Sequence, residues 1–102
     1  MAKRERVCRT MLVDEDESKR DALLTCYFKS IRPSIISQYD KHEIHKCVSV
    51  RQVQGMINNG VIPDLIIFSQ DFPIAEFDEL DEWLSSQELA ITRMRVPLSG
   101  KK

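Results

Sequence analysis

Three stretches of the chain gather side chains that could do chemistry. Asp14-Glu15-Asp16-Glu17 puts four carboxylates in succession, Ser69-Gln70-Asp71 sets a hydroxyl two residues before a carboxylate, and Ser99-Gly100 adds a further hydroxyl. Oxygen donors of this kind suit a hard divalent cation. Ser69 has no neighbouring histidine in the sequence to activate it as a nucleophile. A fourth group, His42, His45 and Cys47, offers nitrogen and sulfur, and His45 and Cys47 would share one face of an extended segment. A structural zinc needs four ligands, commonly as two closely spaced pairs. No second pair is present, so this group reads as part of a polar strand.

Each oxygen-rich stretch follows an apolar run, and these runs must position it. Val7, Cys8, Met11, Leu12 and Val13 precede the first; Leu65, Ile66, Ile67 and Phe68 precede the second; Val96, Pro97 and Leu98 make a last short strand before Ser99. Apolar runs without alternation mark parallel strands covered on both faces. Between the first two lie helical signals. Ser18 three residues before Asp21 is a capping-box-like start, and Leu24, Tyr27, Phe28 and Ile31 recur at helical spacing until Pro33, which should end or kink the helix. Residues 34–41 read as a short helical extension and a loop. Residues 42–48 read as a shorter, more polar strand suited to a sheet edge.

Ser49 with Gln52 forms another capping box, and Val50, Val53 and Ile57 mark one helical face. Asn58-Asn59-Gly60 is a left-handed stop signal, while Gly55 inside that helix costs about 1 kcal/mol in propensity. After Phe72-Pro73, Phe77, Leu80 and Leu84 share a face with Trp83 beside it. The order β-α-β-α-β-α-β implies a parallel α/β sheet with right-handed crossovers. In such sheets ligands bind beyond the carboxyl ends of the strands, near the point where strand order reverses. The residues after each strand, Asp14 to Asp16, Ser69 to Asp71 and Ser99, are therefore expected to converge.

Formal net charge is −1, which removes the basic surface that nonspecific nucleic-acid binding requires. Charge is uneven, however. Lys3, Arg4, Arg6 and Arg9 make a basic start, and Arg93, Arg95, Lys101 and Lys102 a basic end. Glu76, Asp78, Glu79, Asp81 and Glu82 form an acidic run between them. No apolar stretch is long enough to span a membrane, and no signal-peptide core is present. Cys8, Cys26 and Cys47 are odd in number and unpaired in spacing, which suits buried free thiols in a reducing compartment. The expectation is one cytoplasmic domain over residues 1–102, with residues 1–6 and 100–102 as flexible tails.

The motifs resemble the receiver domain of response regulators. Met11-Leu12-Val13-Asp14-Glu15 is similar to that family's first strand and acidic pair. Pro63-Asp64-Leu65-Ile66-Ile67-Phe68-Ser69 is similar to its third strand, which ends in the phosphorylated aspartate, and Pro73 follows at the family's spacing. Ser99-Gly100 matches the hydroxyl residue and small residue that end the fourth strand, so Ser99 is the switch-equivalent position. The resemblance covers nearly the whole chain. It implies a flavodoxin-like fold with sheet order 2-1-3-4 and helices on both faces. The family's fifth strand, its lysine and its last two helices have no counterpart in the sequence.

By the same resemblance Ser69 stands at the phosphoacceptor position, where a neutral hydroxyl cannot form an aspartyl phosphate. Asp14 and Glu15 correspond to the metal-binding pair, and Asp71 to the residue whose carbonyl completes the magnesium site, implying weak Mg²⁺ binding at most. Asp14-Glu15-Asp16 also resembles the DxD motif of haloacid-dehalogenase-like phosphohydrolases, although the later lysine and acidic motifs of that family have no room. The leading expectation is a noncatalytic receiver-like interaction module without a resident cofactor. Its surfaces would be the acidic helix, with Asp78, Glu79, Asp81 and Glu82, and the strand over residues 93–98, with Arg93 and Arg95. A missing fifth strand would leave the fourth as an open edge for a protein partner or a second copy.

Overall fold

The computed structural model describes residues 6–35 and 39–97. Four strands, β1 (Val7–Val13), β2 (Lys41–Cys47), β3 (Leu65–Ser69) and β4 (Thr92–Val96), form one all-parallel sheet in the order β2-β1-β3-β4. This is the expected order and a flavodoxin-like arrangement. Helix α1 (Glu17–Cys26) runs into a π-helical segment (Tyr27–Ile31) and a short turn, α2 (Arg32–Ile35); α3 (Val50–Asn58) and α4 (Ile74–Ser86) follow. No fifth strand occurs among the described residues.

Strands β1 and β3 are central because both of their faces are apolar. Met11, Val13, Ile66 and Phe68 pack with Val53 and Ile57 of α3 and Leu80 and Leu84 of α4. Leu12, Leu65 and Ile67 point the other way, onto Leu23 and Tyr27 of the α1 layer. Alternate residues thus serve opposite layers, and the strands carry unbroken apolar runs as a result. Fully burying each such side chain contributes about 1.5–3 kcal/mol.

The helix ends follow local hydrogen-bond chemistry. Asp16, not Ser18, caps α1, its carboxylate accepting the Ser18 N–H at 2.8 Å. The capping-box spacing at Ser18 was the weaker of two signals, because an aspartate one step before the helix reaches a free N–H first. Ser49 caps α3 as expected, accepting from the Gln52 N–H, while Gln52 Oε1 reaches back to the Val48 N–H at 2.8 Å. At the other end of α3, Val61 N–H bonds Met56 O and Gly60 N–H bonds Ile57 O, with Gly60 at φ 95°. That pair of bonds is the Schellman closure.

Two expectations need correction. Of the two outcomes expected at Pro33, an end or a kink, the first does not occur, and the short helical extension expected after it begins as α2. The turn ahead of it widens to π geometry, with Arg32 N–H bonded to Tyr27 O, and the chain continues through α2. Widening separates the proline ring from the preceding carbonyls it would otherwise strike. The last strand is Thr92–Val96: it covers the start of the 93–98 span expected to carry Arg93 and Arg95, and lies ahead of the apolar run at 96–98. Its core-facing residues alternate with arginines whose charged ends lie against α4, so no continuous apolar run announces it. Pro97 lies beyond the strand, and Leu98 falls outside the described residues.

Cys8 and Cys47 are buried and free, and Cys26 is half-buried and free. Cys47 Sγ donates to Met56 Sδ at 3.7 Å, and burial pushes its thiol from the ordinary 9.0 up to about 11. A raised thiol pKa makes folding strongest below pH 9, where the unfolded chain also holds its proton, and the contribution fades as pH rises toward 11. At about 1.4 kcal/mol per unit, the loss is about 2–3 kcal/mol. Urea unfolding of the wild type should therefore weaken above pH 9 more steeply than that of Cys47→Ala. Helix α3 provides a second check. A Cβ at Gly55 meets nothing within 4 Å, so Gly55→Ala should stabilise by about 1 kcal/mol in denaturant titration. Gly60→Ala, at a positive φ, should destabilise despite equally open space.

Candidate functional site

Parallel pairing sets Val13 beside Phe68, so the residues that follow, Asp14 and Ser69, meet at the carboxyl edge of the two central strands. Strand order reverses between β1 and β3, which makes this the switch point of the sheet. Ser69 is fully buried and Asp14 is 5% exposed. The Ser69 hydroxyl donates to Asp14 Oδ2 at 3.0 Å, and the Asp16 N–H donates to Asp14 Oδ1 at 2.9 Å. Both carboxylate oxygens therefore have an internal donor. Asp14 is held through its backbone as well: its N–H bonds Cys47 O, and Arg20 Nη1 donates to its carbonyl.

A cleft of about 220 Å³ opens beside Asp14, lined also by Glu15, Lys19, Ser49, Asp71 and Glu76; Ser69 lies beneath it, out of the lining. Glu15 and Asp71 are exposed. The Asp71 carboxylate lies 4.0 Å from Lys19 Nζ, a surface pairing that contributes little to stability. Among the described residues no three His, Cys, Asp or Glu side chains assemble into a group that could hold a metal ion. Asp14, Glu15 and Asp71 thus share a cleft without forming a ligand set.

The loop after β3 is pinned by an arginine whose role the sequence did not announce. Arg95 of β4 donates through Nη2 to the carbonyls of Gln70 (2.7 Å) and Phe72 (2.9 Å), and its guanidinium lies 5.2 Å from the Phe77 ring centre. The residues bracketing Asp71 are consequently fixed to the sheet. Register could have suggested this contact, since Arg95 pairs with Phe68, one residue before Ser69.

The remaining candidates are dispersed. Asp78, Glu79 and Glu82 are exposed on α4, whereas Asp81 is half-buried and bonded to Arg93 Nε at 2.8 Å. The acidic helix and the arginine strand, expected as separate docking surfaces, are in part partners of each other. His42 Nδ1 shares a hydrogen bond with the Tyr27 hydroxyl at 2.9 Å, His45 faces Glu43, and Cys47 lies in the core. Ser99 falls outside the described residues.

The buried pair has a measurable signature. Ser69→Ala leaves Asp14 Oδ2 without its donor and should destabilise by about 1–3 kcal/mol in urea titration. In a double-mutant cycle with Asp14→Ala, the two losses should fall short of additive by a similar amount. Additive losses would mean that the hydrogen bond contributes nothing. Comparison of the chain with protein-family models, with curated proteins and with solved structures gives no match.

Proposed function

We propose that this chain is a noncatalytic receiver-like module that works in the cytoplasm through protein–protein contacts, independently of aspartyl phosphorylation. One observation carries the reading. At the sheet position where a phosphoacceptor carboxylate would stand, a buried serine hydroxyl donates to Asp14. A hydroxyl bonded to a carboxylate is neutral and already satisfied. It neither forms an acyl phosphate nor adds charge to hold a cation, and the loop beside it is tied down by Arg95. The same bond weighs against a DxD phosphohydrolase, since the nucleophile in that reading would be Asp14, with both oxygens engaged. Charge supports a protein partner over nucleic acid, given the net −1 and the acidic exposed face of α4. No described helix is long and apolar enough to cross a membrane.

The test is a ¹⁵N-HSQC titration with Mg²⁺ and then beryllofluoride. The wild type should show no shifts clustered at Asp14, Glu15 and Asp71 with either addition. Clustered shifts that grow on adding beryllofluoride would overturn the reading in favour of a phosphate-linked switch. Ser69→Asp supplies the converse arm. It sets two carboxylates about one hydrogen-bond length apart, so it should lower stability without metal. It should also gain Mg²⁺-dependent shifts at the same residues. A Ser69→Asp variant that folds and ignores Mg²⁺ would remove the kinship with receivers from the argument.

A further inference from the structure

Beyond the cleft at Asp14, the surface continues as a wider groove between α3 and α4. It has a volume of about 620 Å³ and shares Ser49 and Glu76 with the cleft. Arg51 and Gln54, one helical turn apart, line it from α3; Glu76, Glu79 and Trp83 line it from α4. The spacing of the last three, i, i+3 and i+7, puts them on one stripe of the helix. Leu80 and Leu84, on the adjoining stripe, are fully buried, so the groove-lining stripe borders the core. Trp83 is half-buried, packing against that core while it lines the groove. Arg51, Glu76 and Glu79 are exposed, and none forms an ion pair with another described residue.

We infer that this groove docks an extended segment of a partner protein through an arginine, its guanidinium lying over the Trp83 ring and held by Glu76 and Glu79. The inference rests on the reading of the chain as an interaction module and gives the partner's chemistry. Among aromatic side chains, tryptophan attracts a cation most strongly. The carboxylate of Glu79, one helical turn away, adds a charged acceptor. A guanidinium can use both at once, because it is planar, stacks on a ring and forks onto a carboxylate. A lysine ammonium is a compact, strongly hydrated point charge and gains less from the pair. The fold already contains a related arrangement, since Arg95 lies over Phe77 of α4 while donating to two carbonyls.

Charge complementarity selects the sign of the partner. Cleft and groove together present Asp14, Glu15, Asp71, Glu76 and Glu79 against Lys19 and Arg51. A phosphate backbone would be repelled by that excess of acid. Arg51 adds a condition, because a purely basic segment meets like charge at the α3 wall. A segment that carries a carboxylate as well as the arginine finds an opposite charge on each wall. Gln54, whose side chain bonds no described residue, offers a donor and an acceptor to the segment's backbone. The groove is open along the two helices, a shape suited to a chain running through it rather than to a small molecule enclosed on most sides.

Trp83 is the only tryptophan in the chain, so its fluorescence reports the groove directly. The probe is the capped peptide acetyl-Arg-Ala-Ala-Glu-amide, titrated into the full chain up to millimolar concentration at low salt. Emission should change saturably, with ¹⁵N-HSQC shifts at Arg51, Gln54, Glu79 and the Trp83 indole N–H. Citrulline in place of the arginine keeps the shape without the charge and should abolish the response. Lysine there should weaken it about threefold. Glu76→Gln combined with Glu79→Gln should weaken binding about tenfold. Asp78→Asn combined with Glu82→Gln removes the same charge from the same helix outside the groove lining, and should leave affinity within about twofold. All four positions are exposed, so both variants should fold as the wild type does. An absent response, an equal response to the citrulline peptide, or equal losses in the two double variants would each overturn the proposal. A thymidine oligonucleotide that shifts the groove amides in place of the peptide would assign the groove to nucleic acid instead. Emission that changes with protein concentration alone, alongside a doubled mass, would assign it to a second copy. The beryllofluoride titration is read at Asp14, Glu15 and Asp71, outside the α3–α4 groove, so the arginine site and the phosphorylation-independent site fail separately.

Discussion

Parallel pairing of β1 with β3 is the constraint on which the remaining architecture depends. These two strands present apolar side chains to both faces, so each face must be covered, α1 and its π-helical extension on one side and α3 with α4 on the other. Right-handed crossovers then leave β2 outside β1 and β4 outside β3. The same pairing brings the first polar residues after each central strand together. Asp14 and Ser69 are 55 residues apart in the chain, yet their hydrogen bond is the polar lid on the core at the switch point. Its burial follows from being one step past the Val13–Phe68 pair, and its stability from having a donor for every carboxylate oxygen.

What could be read in advance followed from how strongly local chemistry and burial agree. Leu65 to Phe68 form a doubly covered strand, and such a strand is legible because nothing but apolar side chains fits it. Ser49, Gln52 and Gly60 each perform the capping role their type and spacing suggest, since those bonds close within a few residues. The errors share a different cause. Asp16 displaced Ser18 as a cap because two acceptors competed for one helix end. Pro33 was absorbed because helix geometry can widen locally. The end of β4 was placed too far along because the apolar residues at 96–98 drew the strand past Val96, while its arginines lie in the strand only because their charged ends find partners on α4.

The candidate site divides the same way. That Asp14 and Ser69 would converge was legible from strand order alone. That they would bond each other, that Arg20 would hold the Asp14 carbonyl, and that Arg95 would clamp the loop around Asp71 was not. Those contacts depend on side-chain reach across strands and from helix to strand. Charge patterning misled in one respect. The acidic run and the arginines appeared as two free surfaces, and the fold sets Asp81 against Arg93.

A conformational switch needs a ligand that binds one state better than another, and the shift cannot exceed that difference in binding. A carboxylate at the end of β3 would create such a difference when phosphorylated, by adding charge and oxygens beside a movable loop. Here that position is a neutral hydroxyl, satisfied by Asp14, and the adjoining loop is held at two carbonyls by Arg95. Arg95 belongs to β4, so the clamp on the loop is fixed through the pairing of β4 with β3. On the proposed reading, the structural coupling that a phosphorylated domain would use for switching is spent here on stiffness. It holds Arg95 on the loop carbonyls and Arg93 on Asp81 of α4, so both arginines of β4 tie the strand to its neighbours.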